Sequence, residues 1–118
     1  MQTQQVVLTT TVVASEPLTQ QRLVNVTGGL CRAGDIALGV AEVDGKAGDS
    51  VPVNVLGIIA AEAGGAIDVG TSLTVDDQGR VIAAAPAEGK DSQATGAVGI
   101  ALSAAGGEGQ LIRVLWRA

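Results

Sequence analysis

An all-β fold, a compact small barrel or sandwich of short strands and hairpins, is what this chain predicts from three observations. Val is the commonest large residue at 16 of 118 positions, and β-branched side chains favour a pleated, half-buried surface. The 17 glycines are spread along the chain and supply the positive-φ corners that many short strands need. Apolar and polar residues alternate in stretches bounded by Gly, Asp and Pro, a pattern of strands and hairpin turns. A chain of 118 residues has room for one core. The expected organisation is an N-terminal strand or extended docking arm over 1–15 and a single β domain over 16–118.

Residues 1–15 carry no charged side chain, and Val6 to Val13 has as strong a strand composition as any segment here. Such a segment left open in solvent templates aggregation, so it must be paired in a sheet, covered, or docked on a partner. Val6, Leu8, Val12 and Val13 are therefore the candidate residues for strand pairing. Deleting residues 2–13 is expected to leave a soluble fold without its docking arm.

After Glu16-Pro17 a short strand is expected over Gln21 to Val26, Gly28-Gly29 turns the chain, and Ile36 to Val43 forms a second apolar strand. It runs into a hairpin turn over Asp44 to Asp49. Val51, Val53 and Val55 then share one face opposite Pro52 and Asn54, and Pro52, lacking an N–H, predicts a sheet edge at the start of this strand. Between Ile58 and Ala66 the pattern does not separate a strand end from a single helical turn. The clearest hairpin joins Leu73-Thr74-Val75 to Arg80-Val81-Ile82 through Asp76 to Gly79. Ala85 to Thr95 reads as an exposed loop, and Ala97 to Leu102 as a strand. The last strand, Leu111 to Arg117, places Ile112, Val114 and Trp116 on one face. Leu111, Arg113, Leu115 and Arg117 lie on the other, a mixture suited to a contact surface.

A degenerate internal duplication is also expected. Gly28 to Asp35 matches Gly64 to Thr71 at an offset of 36, with glycines in register. More loosely, Gly39-Val40-Ala41 aligns with Gly99-Ile100-Ala101, and Val51, Val53 and Val55 with Ile112, Val114 and Trp116.

Several function classes are disfavoured by composition. With 12 acids against 7 bases, a net charge of −5, phosphate binding by counterion release starts at a disadvantage. The absence of Phe and Tyr removes the stacking platforms that single-stranded nucleic acid and most sugars use. No His is present and Cys31 stands alone, so neither a usual metal cluster nor His-based acid–base catalysis is expected, and no cofactor. Gly45-Lys46 lacks the surroundings of a phosphate loop, and the Asp44–Asp49 and Asp76–Gly79 turns lack the oxygen spacing of a calcium loop. The expectation is therefore no enzyme and no nucleic-acid partner. The longest uncharged run, Ser92 to Gly107, is 16 residues long and broken by glycines, so no membrane partner is expected either. No basic residue precedes an apolar stretch at the N-terminus, so cytoplasmic folding is expected. On that basis the Asn25-Val26-Thr27 sequon is a chance tripeptide.

Charge is uneven: residues 35–91 hold ten acids and three bases, net −7, and the flanks two acids and four bases, net +2. Paired termini would make a mildly basic, β-sticky pole suited to docking. An Ala-rich core without aromatic rings is thin, which predicts burial against sister subunits.

The succession Ala33-Gly34-Asp35, Gly39-Val40-Ala41, Ala47-Gly48-Asp49 before Val51-Pro52-Val53, Gly57, Ala66-Ile67 with Val69-Gly70, Asp77 to Val81, Val98 to Leu102 and Ile112 to Leu115 resembles a known family. It is similar to the small capsid cement, or decoration, proteins of tailed bacteriophages, from about Gly28 to the C-terminus. The resemblance implies a β-rich structural subunit on the outside of the expanded head, made in the host cytoplasm. Its partner would be the major capsid protein, whose contacts it would reinforce, and it would self-associate as a homotrimer, with a dimer as the second option. On that reading Val6, Leu8, Val12 and Val13 pair with capsid or a sister subunit, and Leu111, Leu115 and Trp116 make subunit contacts. Asp44, Asp49, Asp76, Asp77 and Glu88 face solvent. The rival reading is a carbohydrate- or ligand-binding β module on a tail or cell surface.

Overall fold

The computed structural model describes residues 4–84 and 98–116. Its strands are β1 (Gln5–Val13), β2 (Leu23–Asn25), β3 (Ala37–Ala41), β4 (Ser50–Glu62), β5 (Ser72–Val75), β6 (Val81–Ala83), β7 (Gly99–Ala101) and β8 (Leu111–Trp116). They form one antiparallel sheet in the order β2-β3-β4-β8-β7-β5-β6, with β1 also on β4. The sheet curls until the Leu23 N–H donates to the Gly79 carbonyl at 2.7 Å, which joins β2 to the β5–β6 turn and nearly closes a barrel.

Several sequence expectations are corrected by this pairing. The open stretch after Ile58 is strand: β4 continues to Glu62, and the chain then turns at Gly64-Gly65. The edge expected at the start of β4 exists on one side: β1 pairs along Ser50 to Pro52, whereas the β3 ladder reaches only Val53 and Asn54. Pro52 is tolerated because its carbonyl accepts from the Glu42 N–H at 3.0 Å at the last rung of β3, so its donorless nitrogen faces the side where β3 ends. Of the two readings of the N-terminal segment, strand or docking arm, Gln5–Val13 forms a strand, which runs along β4 with Val6 and Val12 packed against the core. Trp116, expected at a subunit contact, is 3% exposed, because alternation along β8 points it inward with Ile112 and Val114. Asp76, expected in solvent, is half-buried against Arg80 at 3.0 Å, whereas Asp44, Asp49 and Asp77 are exposed. Glu88, Arg117 and the Ala85–Thr95 loop lie outside the described residues.

The duplication is present, and the backbone bonds fix its register. In the first half Ala14 N–H donates to Asp49 O, Gly48 N–H to Ala14 O, Leu18 and Gly45 exchange two bonds, and Gln21 N–H donates to Ala41 O. In the second half Ala63 donates to Gln110, Gly109 to Ala63, Ile67 and Ala105 exchange two bonds, and Gly70 donates to Ala101. Ala14 thus corresponds to Ala63 and Leu18 to Ile67, an offset of 49, while Ala41 corresponds to Ala101 at 60 and Gly48 to Gly109 at 61. The looser sequence match is the true one, and the offset of 36 is not. Glycine marks positive φ wherever a turn needs it, so Gly34 (+89°) echoes Gly70 (+86°) without sharing its place. The counterpart of Gly70 is Gln21, at φ +66°, which a glycine pattern does not reveal.

Strands β1-β2-β3-β4 therefore correspond to β4-β5-β7-β8, with β4 serving in both repeats. The small apolar cluster of Ala14, Leu18, Val24, Ala41, Val51 and Val53 reappears as Ala63, Ile67, Leu73, Ala101, Ile112 and Val114 within the larger cluster. The larger cluster also takes in Leu23, Cys31 and Val40. Consecutive strand residues point to opposite faces, so Leu23 and Val40 lie behind Val24 and Ala41. The back of the first repeat is thus packed onto the core of the second.

Candidate functional site

Two surfaces at the ends of this tandem are open. The first is the free edge of β1. Because the Pro52 carbonyl is directed to Glu42, its partner Thr11 turns its own N–H and C=O away from β4, and by alternation so does Val13, whose carbonyl is met by the backbone of the Gly28 turn. No strand pairs with that edge among the described residues, and Gln4 to Ser15 holds no charge to guard it. Val13 and Leu8 are exposed beside it, as is Val7, at 71%.

The second surface is the outer face of β1-β4-β8-β7. Ile59 and Ala61 point into the core, so Ile58 and Ala60, which alternate with them, point to the other face; the same alternation places Leu115 and Ile100 outward. Their Cα partners make one row across the sheet, Ile58 to Leu115 to Ile100. Leu8 and Leu56 pair in the next row, both exposed, where extra residues in both strands bend the pair and Gly57 adopts φ +112°. On the other side of the central row Arg113 stands opposite Ala60, and Leu111 opposite Glu62.

Of the candidate residues, Leu8, Leu111 and Leu115 are brought onto this face, with Leu111 half-buried and Leu115 38% exposed. Val13 flanks the free edge, and Val6, Val12 and Trp116 serve the chain's own core. Leu56, Ile58, Ile100 and Arg113 complete the surface. The Leu111/Arg113/Leu115 alternation signalled Arg113, but Leu56 and Ile58 were obscured because the irregularity at Gly57 shifts the in-out alternation of β4.

Charge distinguishes Arg113 from its neighbours. Arg22 pairs with Glu62 at 3.1 Å, Arg32 with Glu16 at 2.9 Å and Arg80 with Asp76 at 3.0 Å. Arg113 makes no ion pair among the described residues, and its Nε is buried without a hydrogen-bond partner. The Arg32 guanidinium holds the Glu16 carboxyl below its ordinary range, against the opposing effect of burial and with help from the Leu30 N–H. Burial pushes the Cys31 thiol up to about 11, leaving it protonated and unreactive at neutral pH. Among the described residues no group of three or more His, Cys, Asp or Glu is placed to hold a metal ion.

A family model described as phage cement protein matches residues 1–116, including the first 27 that the motif resemblance left out. No curated protein matches the chain. Among solved structures, the head fiber gp8.5 N base of bacteriophage phi29 is similar, with 26% sequence identity, a TM-score of 0.68 and 93% of each chain covered. The repeated β architecture is thus that of a phage head structural protein, and the chain belongs to the phage cement protein family.

Proposed function

We propose that the protein is a virion subunit that binds the outer surface of the phage head and reinforces contacts between major capsid protein subunits. The observation that carries this reading is the open, uncharged β1 edge beside the apolar β1-β4-β8-β7 face, in a chain of the cement family. A head under internal DNA pressure is strengthened by many repeated, individually modest clamps, and a ligand that binds only the assembled shell stabilises it by mass action. Strand addition at β1 would supply main-chain bonds, with Leu8 and Val13 adding apolar contact. Self-association as a homotrimer, with a dimer as the second option, matches a thin core and a symmetric shell. Synthesis in the host cytoplasm and residence on the mature head complete the reading.

The test mixes purified protein with emptied, expanded heads of its phage and images them. Regular external density at saturating protein, together with heads that survive higher temperature, is the expected result. Heads that remain bare refute the reading.

A further inference from the structure

We infer that the back of the second repeat, Ile58, Ile100 and Leu115 beside Arg113, is the face that meets the shell protein, and that the shell supplies an apolar surface carrying a carboxylate for Arg113. The inference rests on the head-binding reading above and names the face and the chemistry of its partner.

The molecule contains its own precedent for covering this face. By the repeat correspondence, Ile100 occupies the place of Val40, Leu115 that of Asn54, Ile58 that of Thr9 and Ser72 that of Leu23. Leu23, Val40 and Asn54 are all at most 1% exposed, because the core of the second repeat lies against them. In the second repeat the same positions are more aliphatic, yet among the described residues none of them joins an apolar cluster: Ile58 and Ile100 are half-buried and Leu115 is 38% exposed. A sheet back that is fully buried in one repeat and, though richer in aliphatics, only half-buried in the other is half of an interface.

Arg113 states what the other half carries. Its Nε is already buried and without an acceptor, between Leu111 and Leu115 and opposite Ala60. Covering this face with a purely apolar surface would strand a guanidinium, whereas a carboxylate would take it in a paired, charge-assisted bond. A second copy is poorly suited to supply the cover. Both apolar clusters of each copy are closed, one by Ala14 and Leu18, the other by the back of the first repeat. Two copies meeting back to back would bring two unpaired guanidiniums to one apolar contact.

The test titrates wild-type protein and the variants Arg113→Glu, Arg113→Ala, Leu115→Asp and Ile36→Asp onto emptied heads, with thermal melts and sedimentation of each protein alone. Ile36 is exposed at the start of β3, away from the face. Expected are wild-type coating by Ile36→Asp and a half-saturation at least about ten-fold higher for Arg113→Glu and Leu115→Asp, with melting and oligomeric state unchanged. Wild-type coating should weaken with salt more steeply than that of Arg113→Ala. Variants that coat as wild type does overturn the assignment of this face alone. Variants that lose coating because their oligomeric state has changed also overturn it, since the face would then lie between copies. Wild-type protein that leaves heads bare refutes the head-binding reading itself.

Discussion

The repeat correspondence makes a quantitative claim about two glycines 60 positions apart. A Cβ at Gly39 would strike the Asn54 carbonyl oxygen, with Val53 Cγ1 at 2.8 Å; at Gly99 it would strike the Leu115 carbonyl oxygen, with Val114 Cγ1 at 2.9 Å. In both cases the obstacle is backbone of the paired strand, which has no rotamer to yield, so the rung must open. Overpacking of this kind costs about 1–3 kcal/mol, and the loss of one or two ladder bonds adds about 1 kcal/mol each. Restriction of the unfolded chain returns about 0.4–1 kcal/mol. Gly39→Ala and Gly99→Ala should therefore each destabilise by about 2–3 kcal/mol, a fall in melting temperature of about 8–12 °C for a chain of 118 residues. Gly65, where nothing lies within 4 Å, is the control, and Gly65→Ala should stay within about 0.5 kcal/mol. Urea unfolding followed by circular dichroism reads all three. Wild-type stability in either strand variant, or a difference between them above about 1.5 kcal/mol, refutes the claim that the two rungs are packed alike.

Four further outcomes follow from the same packing. Deleting residues 2–13 strips β1 from β4 and bares the packing of Val6 and Val12, so the truncated chain should lose its cooperative melt and aggregate; a soluble fold melting like the wild type would contradict this. Trp116→Ala should cost about 3–5 kcal/mol whereas Leu115→Ala stays within about 1 kcal/mol, read by chemical denaturation. Cys31 should resist alkylation at pH 8 until the chain is unfolded. Its pKa is raised from 9.0 to about 11, so the unfolded chain ionises first; stability is full below pH 9 and falls by up to about 2–3 kcal/mol between pH 9 and 11, a loss that Cys31→Ala should abolish. Glu16 has its pKa lowered from 4.5, so its contribution is present above pH 4.5 and fades as pH falls further; Glu16→Gln should make the urea midpoint less sensitive to acid in that range.

Most strands were legible because their cause is local. Alternation in Leu111 to Trp116 and the Asp76–Gly79 turn signal both depend on neighbours within a few residues, and β8 and the β5–β6 hairpin form where that reasoning places them. Three features were hidden because their cause is distant. Pro52 signals an edge, but that the edge is on one side only, with β1 on the other, follows from where β3 ends. Gln21 accepts a left-handed conformation because its N–H is held by the Ala41 carbonyl, a tertiary reason with no glycine to announce it. The irregularity around Gly57 shifts the faces of β4, so a strict period of two mislabels the residues on either side of it. The candidate surface lies across that irregularity, which is why Leu8 and Leu115 were found and Leu56 and Ile58 were not.

A tandem whose central strand serves both repeats has two ends, and each end is a surface whose internal equivalent the chain has already satisfied. The counterpart of the free β1 edge is the edge of β4 at Ala60 and Glu62, where the Ala60 N–H is met by the Gln4 side chain and the Glu62 N–H by the Gln21 carbonyl. The counterpart of the second back is the first back, buried under the larger core. Solenoid-like chains usually close such ends with polar caps. Here the β1 end carries no charge, and the other end has Ile58, Ile100, Leu115 and Ser72 where the internal copy has Thr9, Val40, Asn54 and Leu23, three aliphatics against two. A net gain of aliphatics at the less buried of the two backs runs opposite to what solubility requires, and it is accounted for if both ends are covered on the head. A β1 edge and an opposite back engaged by different shell subunits would let a single small chain span a capsid joint.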